Sequence, residues 1–228
     1  MSLSFSLIIP VFREAAIINR TIENIRKIKK SADFEIIVVD GDPDGNTIRE
    51  IKDKDVNGLL SVKGRGNQLN AGAARAKGNI LIFLHVDTRL PSNALEHIAN
   101  AFKDNTCIGG AFDLGIDSGR KAMRIIEKMA SWRSRLTRIP YGDQAIFIRA
   151  DYYKTLGGFS NIPILEDVDL MRRIKQNKGK IKILHERVLT SSRRWDTEGI
   201  IFCTLRNWLL ILLFLMGVKP ATLKRFYK

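Results

Sequence analysis

Ile80-Leu81-Ile82-Phe83-Leu84-His85-Val86-Asp87 carries five apolar residues straight into a histidine and an acid. An apolar run this short reads as a strand buried on both faces, of the kind found in parallel sheets. Two runs upstream have the same form. Phe5 to Ile9 is stopped by Pro10, and Phe34 to Val39 ends at Asp40. A weaker run, Leu59 to Val62, predicts a further strand between them and Ile80. The intervening segments have helical spacing. Ile18, Ile22 and Ile25 mark one helix face, Thr47 to Lys54 predicts a short helix, and alanine-rich Asn67 to Lys77 predicts another with Gly78 as its C-cap. Alternating strands and helices imply an α/β fold with a mostly parallel sheet flanked by helices on both faces.

Such sheets bind ligands beyond the carboxyl ends of their strands. The chain places Phe12, Arg13 and Glu14 after the first strand, and Asp40, Gly41 and Asp42 after the second. Lys63 to Gly66 follow the third, and His85 and Asp87 the fourth. Acids, a basic loop and glycines at one sheet edge describe a nucleotide site. No G-x-G-x-x-G follows the first strand, and no G-x-x-x-x-G-K-[ST] occurs, so dinucleotide and P-loop readings fail. An acid at a strand end that holds a divalent metal against a diphosphate is the natural alternative.

Composition bounds the rest. A chain of 228 residues with 45% apolar content can bury one core, or two tightly joined halves. The net charge of +14 favours an anionic partner: nucleotide phosphates, acidic lipid head groups or nucleic acid. Cys107 and Cys203 lack metal-type spacing and read as thiols in a reducing compartment. The opening residues lack the basic flank and cleavage site of a signal peptide, so a cytoplasmic location is expected.

In this order and at these intervals, Ser6 to Glu14, Glu35 to Asp40, Leu69 to Gly78, Ile82 to Asp87, Gly157 to Phe159 and Glu166-Asp167 resemble the family 2 glycosyltransferases. The resemblance covers about residues 4 to 200 and implies the GT-A (Rossmann-like) fold. It implies a catalytic domain over 1–200, with a nucleotide-binding half at 1–90 and an acceptor half at 91–200. A C-terminal helical segment at 201–228 follows. A narrower likeness lies in Gly64 to Gly66, Leu84 to Pro91, Tyr141 to Gln144 and Ser191 to Trp195. These look like a bacterial subgroup labelled arsenosugar-biosynthesis glycosyltransferases.

The resemblance implies metal-dependent, inverting transfer of a sugar from a nucleotide-diphosphate donor to an acceptor hydroxyl. Mg2+ or Mn2+ would be the cofactor, and a UDP-sugar is the first donor expected. Asp87 matches the second acid of the family's Asp-x-Asp and is the expected metal ligand. His85 replaces the first acid and is a weaker candidate ligand. Pro10, Phe12 and Glu14 match the base-and-ribose loop, Asp40 the acid that reads the base edge, and Arg65 is placed to meet base or phosphate. Asp167 is the expected catalytic base, with Glu166 orienting it or touching the acceptor. The bland reading of these acids, with Asp169, is a helix N-terminus offsetting its dipole. Arg193 and Arg194 are expected to clamp the diphosphate and Trp195 to stack on sugar or base. Asp143 and Gln144 are expected donor-sugar or acceptor contacts. His97 and His185 read as surface or structural residues, with the alternative for His185 that it lies downstream of the expected base, where some GT-A enzymes recruit a histidine ligand.

Trp208 to Val218 is too short an apolar run to span a bilayer. With the basic residues beyond it, segment 200–228 reads either as a helix packed on the domain or a second subunit, making a homodimer, or as a peripheral contact with the inner face of the membrane. Two other functions compete. A nucleotidyltransferase that makes nucleotide-sugars would carry a glycine-rich loop where Pro10 to Glu14 stand. A non-catalytic nucleotide- or nucleic-acid-binding protein would cluster its cations on one face, whereas Lys and Arg here are spread along several helices. No nucleic-acid partner is expected.

Overall fold

The computed structural model describes residues 3–29 and 32–227. In chain order the elements are β1 (Phe5–Val11), α1 (Ala15–Arg26), β2 (Phe34–Asp40), α2 (Asn46–Arg49), β3 (Val56–Leu60), α3 (Arg65–Arg75) and β4 (Ile80–Phe83). Then come β5 (Thr88–Arg89), α4 (Ala94–Ala101), β6 (Cys107–Asp117), α5 (Lys121–Thr137), β7 (Ile146–Arg149) and α6 (Ala150–Thr155). The chain continues with α7 (Glu166–Gln176), β8 (Lys180–Ser191), α8 (Arg193–Glu198), α9 (Ile200–Leu215) and α10 (Pro220–Leu223).

The strands form one eight-stranded sheet in the order β3-β2-β1-β4-β7-β6-β8-β5. The half from β3 to β4 is parallel throughout. Past β4 the sheet is mixed: β7 runs antiparallel to both neighbours, β6 and β8 are parallel, and β5 is antiparallel to β8. The apolar runs are explained by burial on both faces. Leu7, Ile9, Ile36 and Val38 point into a core with α1 and α4, while Ile8, Ile37 and Val39 point into a second core with α3 and α7.

Several boundaries differ from the sequence reading. β1 continues through Pro10, because β4 pairs only as far as Ile8 and asks nothing of the missing Pro10 N–H. α2 is a single turn; the Arg26–Asp53 ion pair at 2.7 Å and the turn in which Asp53 accepts the Asp55 N–H end it early. β3 starts at Val56, since its register on β2 runs from Ile36 to Asp40, which leaves Val62 exposed. Gly78 does not cap α3. Ala76 stands there, and Gly78 instead lets β1 approach: a Cβ would lie 2.6 Å from the Phe5 carbonyl carbon.

Gly72 in α3 is the tightest helix–sheet contact behind the site. A Cβ there would stand 2.4 Å from Ile8 Cγ2 and 3.0 Å from Val39 Cγ2. Gly72→Val is therefore expected to overpack the second core and cost about 1–3 kcal/mol, read from urea unfolding midpoints. An unchanged midpoint would show that α3 can slide off the sheet without cost.

Candidate functional site

A cleft of about 960 Å³ opens beyond the carboxyl ends of β1 and β4. Its floor is Pro10, Val11 and Gln68; its walls carry His85, Asp87, Asp143, Glu166 and Asp167, and α8, α9 and the residues after α10 close the far side. Of the residues expected from sequence, Pro10, Phe12, Glu14, Arg65, Arg193, Arg194 and Trp195 line it as well.

Asp167 is half-buried at the start of α7. Its Oδ2 accepts the Gly142 N–H at 2.6 Å and its Oδ1 accepts the Val168 N–H at 2.8 Å. A carboxylate oxygen has two acceptor lobes, so each keeps one for a further donor, and the residue lines the cleft. The backbone is bent to achieve this. Leu165 just before α7 and Ala145 just after the short 3-10 turn Gly142–Gln144 both have positive φ, 63° and 50°. Arg13, in the loop after β1, has φ 57°. Non-glycine residues rarely adopt this region, and strain of this kind gathers at functional sites. Gly142 is tightly enclosed: a Cβ would meet His85 Nε2 at 2.8 Å and Asp167 Oδ2 at 3.3 Å. The dipole reading fits Asp169 better, since its Oδ2 is taken by the Ser160 hydroxyl and Arg173.

Glu166 is buried and faces Arg65 across 3.4 Å, which joins α7 to the start of α3. Burial, reinforced by the charge of Asp167, holds its carboxyl above the usual range despite Arg65. Burial opposes the charge of Arg65 in turn, yet the anionic surroundings of Glu166, Tyr227, Asp167 and Asp87 raise its pKa. Asp143 has one oxygen, Oδ1, shut off from solvent with no hydrogen-bond partner. Burial pushes its carboxyl up to about 6 against the pull of Arg133, and Asp167 and Asp87 add to the rise. Arg133 stacks 3.2 Å from the Tyr141 ring centroid and is lowered to about 10 by burial.

Two expected contacts are not in the cleft. Asp40 is fully buried: Oδ1 accepts the Asp42 N–H and Oδ2 the Thr47 N–H, so it shapes the loop after β2 instead of offering an edge to a base. Gln144 is also fully buried, donating to the Phe112 carbonyl and accepting from Ser134 Oγ and the Tyr141 N–H. It anchors the turn that carries Asp143. His97 pairs with Glu186 and His185 with Arg135, both away from the cleft.

The metal reading can be tested on the donor set. Among the described residues no group of three or more His, Cys, Asp or Glu side chains is arranged to hold an ion by itself. A Mg2+-type site needs only one or two carboxylates when substrate phosphates supply the rest, and Asp87 in the cleft wall fits that arrangement. His85 beside it is held well below its usual pKa by burial, helped by Arg65 and Arg194, so its imidazole is neutral. That is the form a ligand requires.

The C-terminal segment was the part of the site that the sequence reading missed. Asn207, Leu210 and Ile211 of α9 line the cleft, with Lys224 and Tyr227 after it. The Tyr227 hydroxyl accepts a hydrogen bond from Arg194. Leu210, Phe214 and Leu223 pack on Ile164 and Val168, directly behind the turn that presents Asp167. Gln68, Lys63 and Tyr141 also line the cleft; Lys63 sits 4.0 Å over the Phe12 ring.

A family model described as glycosyl transferase family 2 matches residues 6–156. No curated protein matches the chain in sequence. Among solved structures, S. aureus TarS 1-349 in complex with UDP superposes with a TM-score of 0.66 at 16% identity, covering 83% of this chain and 60% of that one. The same protein in complex with UDP-GlcNAc gives 0.62 at 16% identity over 83% and 58%. Mannosyltransferase PcManGT from Pyrobaculum calidifontis, in complex with GDP-Man and Mn2+, gives 0.61 at 22% identity over 83% and 57%. The chain thus spans less than two thirds of the length of each, and at such identities the likeness is one of fold.

Asp143 sets a pH dependence. Its folded pKa of about 6 lies above the ordinary 3.8, so ionisation destabilises the fold. The cost is absent below about pH 4, grows between about 4 and 6, and is complete above that. Asp143→Asn in chelator should therefore raise the thermal midpoint relative to wild type at pH 7 and leave no such gain at pH 4. A gain of equal size at both pH values would mean that the buried charge is not its source.

Proposed function

This chain belongs to glycosyl transferase family 2, and from that membership we propose that its cleft binds a nucleotide-diphosphate sugar and transfers the sugar to an acceptor hydroxyl, with a divalent metal on the diphosphate. The observation that carries the reading is the placement of one half-buried carboxylate, Asp167, across a single cleft from Asp87, with arginines lining the same cleft.

In this reading the nucleoside lies against Pro10, Phe12 and Glu14, and its diphosphate reaches toward Asp87. Arg65, Arg193 and Arg194 supply the cations that a diphosphate requires. When bound, the metal would be held by Asp87, with His85 next to it, and would neutralise charge on the leaving diphosphate. The acceptor oxygen attacks the anomeric carbon as the bond from that carbon to the diphosphate oxygen breaks. The diphosphate leaves with the electron pair, and the acceptor proton passes to Asp167. A single displacement of this kind inverts the anomeric centre. Glu166 is assigned to holding Arg65 and Trp195 to the sugar or base. Asp143, which lines the cleft, is assigned to a hydroxyl of donor or acceptor.

Asp40 being spent on its own loop, base choice falls to the Pro10–Glu14 loop and to Lys63 and Arg65, so uridine and guanosine donors are both to be tested. The narrower subgroup likeness rests on its four motifs and names neither donor nor acceptor. The nucleotidyltransferase reading has no glycine-rich loop to support it. The nucleotide-binding half is 1–90 and the acceptor half 91–200, and the segment that begins at 201 adds Asn207, Leu210, Ile211, Lys224 and Tyr227 to the cleft.

Calorimetric titration with UDP, GDP and their sugars, in Mn2+ and then in chelator, tests the reading. Metal-dependent binding of one diphosphate is expected, and binding indifferent to metal would remove Asp87 from its role. Asp87→Ala should weaken that binding by about 10-fold or more, the scale of losing a metal ligand or its support. Asp167→Asn should keep donor binding and lower transfer by about 100-fold or more. Transfer at wild-type rate by that variant would exclude Asp167 as the base.

A further inference from the structure

α5 is amphipathic the wrong way round. The face it buries carries Met123, Glu127 and Ser134, and the Glu127 carboxylate there accepts the Ile116 N–H at 2.6 Å. The opposite face presents Ile125, Met129, Trp132 and Leu136, spaced four, three and four apart, at 61%, 43%, 69% and 67% exposure. A surface helix ordinarily turns such a stripe inward. α9 repeats the pattern. Cys203, Leu210 and Phe214 are buried, while Ile201, Leu205, Trp208, Leu212 and Leu215 form an exposed stripe at the same spacing, widened by Phe202, Leu209 and Met216. Both helices reach one small cluster: Met123, Ile126 and Ala130 of α5, Ile200 at the start of α9 and Trp195 of α8 gather with Leu114 and Ile116 of β6. Arg120 of that corner pairs with Asp196 at 3.0 Å. Exposed apolar surface this extensive marks an interaction site.

Charge selects the occupant. Between Arg120 and Arg138 the only acid is the buried Glu127, and from Gly199 to Lys228 there is none. Lys121, Lys128 and Arg138 are exposed on α5 and beside it, and Lys219 and Arg225 are exposed beyond α9. A second copy packed here would set cations against cations. An anionic bilayer meets both needs: acyl chains for the stripes, and head-group charge for the flanking lysines and arginines. Trp132 and Trp208 have the amphipathic rings that settle at head-group depth. No helix among the described residues is long and apolar enough to cross a membrane, which fits a contact lying in the interface.

We propose that α5 and α9 together form a docking surface for an anionic lipid bilayer. α9 then has two working faces, because Asn207, Leu210 and Ile211 line the cleft while the exposed stripe meets lipid. The cleft opens beside the bilayer surface. The proposal does not rest on sugar transfer, since its test needs no donor.

The test is flotation of the full chain with vesicles of phosphatidylcholine alone and of phosphatidylcholine mixed with phosphatidylglycerol. Binding to the anionic vesicles should be tighter by ~10-fold or more and should loosen as salt is added. Trp132→Glu with Leu136→Glu, and separately Leu205→Glu with Leu212→Glu, should each weaken it by ~10-fold or more. Circular dichroism and nucleoside-diphosphate affinity should stay as in wild type, since none of these side chains lines the cleft. A folded wild-type chain that floats with neither vesicle overturns the proposal, as does flotation that both double variants leave unchanged. Sedimentation equilibrium showing a dimer that the glutamates dissociate, without vesicle binding, would assign the surface to a second copy.

Discussion

The Gly142 N–H held by Asp167 Oδ2 is the contact on which the rest of the cleft depends. It ties the start of α7 to the turn before β7, so the carboxylate is aimed by backbone and not by a mobile side chain. Each partner is prepared for it. Leu165 takes a left-handed conformation to launch α7, and Ala145 does so to leave the turn. Gln144 holds the turn to β6 through the Phe112 carbonyl. Gly142 itself has no room for a side chain between His85 and Asp167. Behind α7, Leu210 and Phe214 of α9 press on Val168 and fix the helix from its far side.

That rigidity brings acids close together, and the electrostatics follow. Asp87, Asp143, Glu166 and Asp167 share one cleft, and burial raises the carboxyls of Asp143 and Glu166. Arg65 and Arg133 relieve the crowding only in part, because Arg133 is lowered by burial and retains an unpaired Nη1. A ligand that brings both a cation and an anion resolves the imbalance better than either alone: metal against Asp87, diphosphate against the arginines. The neutral state of His85 belongs to the same balance, since two arginines already surround it.

The first half of the fold was legible because β1, β2 and β4 are buried on both faces and so spell themselves as unbroken apolar runs, while the edge strand β3 is half exposed and reads weakly. Its polar strand ends located Phe12, Glu14, Arg65 and Asp87 in the cleft. Asp40 and Gln144 lie outside the cleft for one shared reason. A polar side chain at the end of a strand or turn can serve a ligand or its own fold, and only the hydrogen bonds decide; here the backbone takes both oxygens of Asp40, and backbone groups with Ser134 occupy Gln144. Lys224 and Tyr227 of the cleft were invisible for a different reason. Nothing local ties residues near the chain's end to Arg194, and that contact exists only because α9 folds back over α7.

The same limit applies to α5, where periodicity is informative about shape and silent about direction. Ile125, Met129, Trp132 and Leu136 have the spacing of a core-facing stripe, and helical pattern alone would bury them. What turns the helix over is Glu127. Its carboxylate is engaged by the Ile116 N–H and by Arg124 at 2.9 Å, and Arg187 stands 3.6 Å away. Turning the stripe inward would bury four apolar side chains but strip that carboxylate of its donors or leave Ile116 with a buried, unanswered N–H. A carboxylate engaged this way costs little to keep buried, while an apolar stripe costs nothing extra to expose if lipid covers it. The orientation of α5 is thus held by the polar partners of its inner face, Glu127 on Ile116 and Ser134 on Gln144, and a surface follows from it that a water-soluble partner of the same charge could not share.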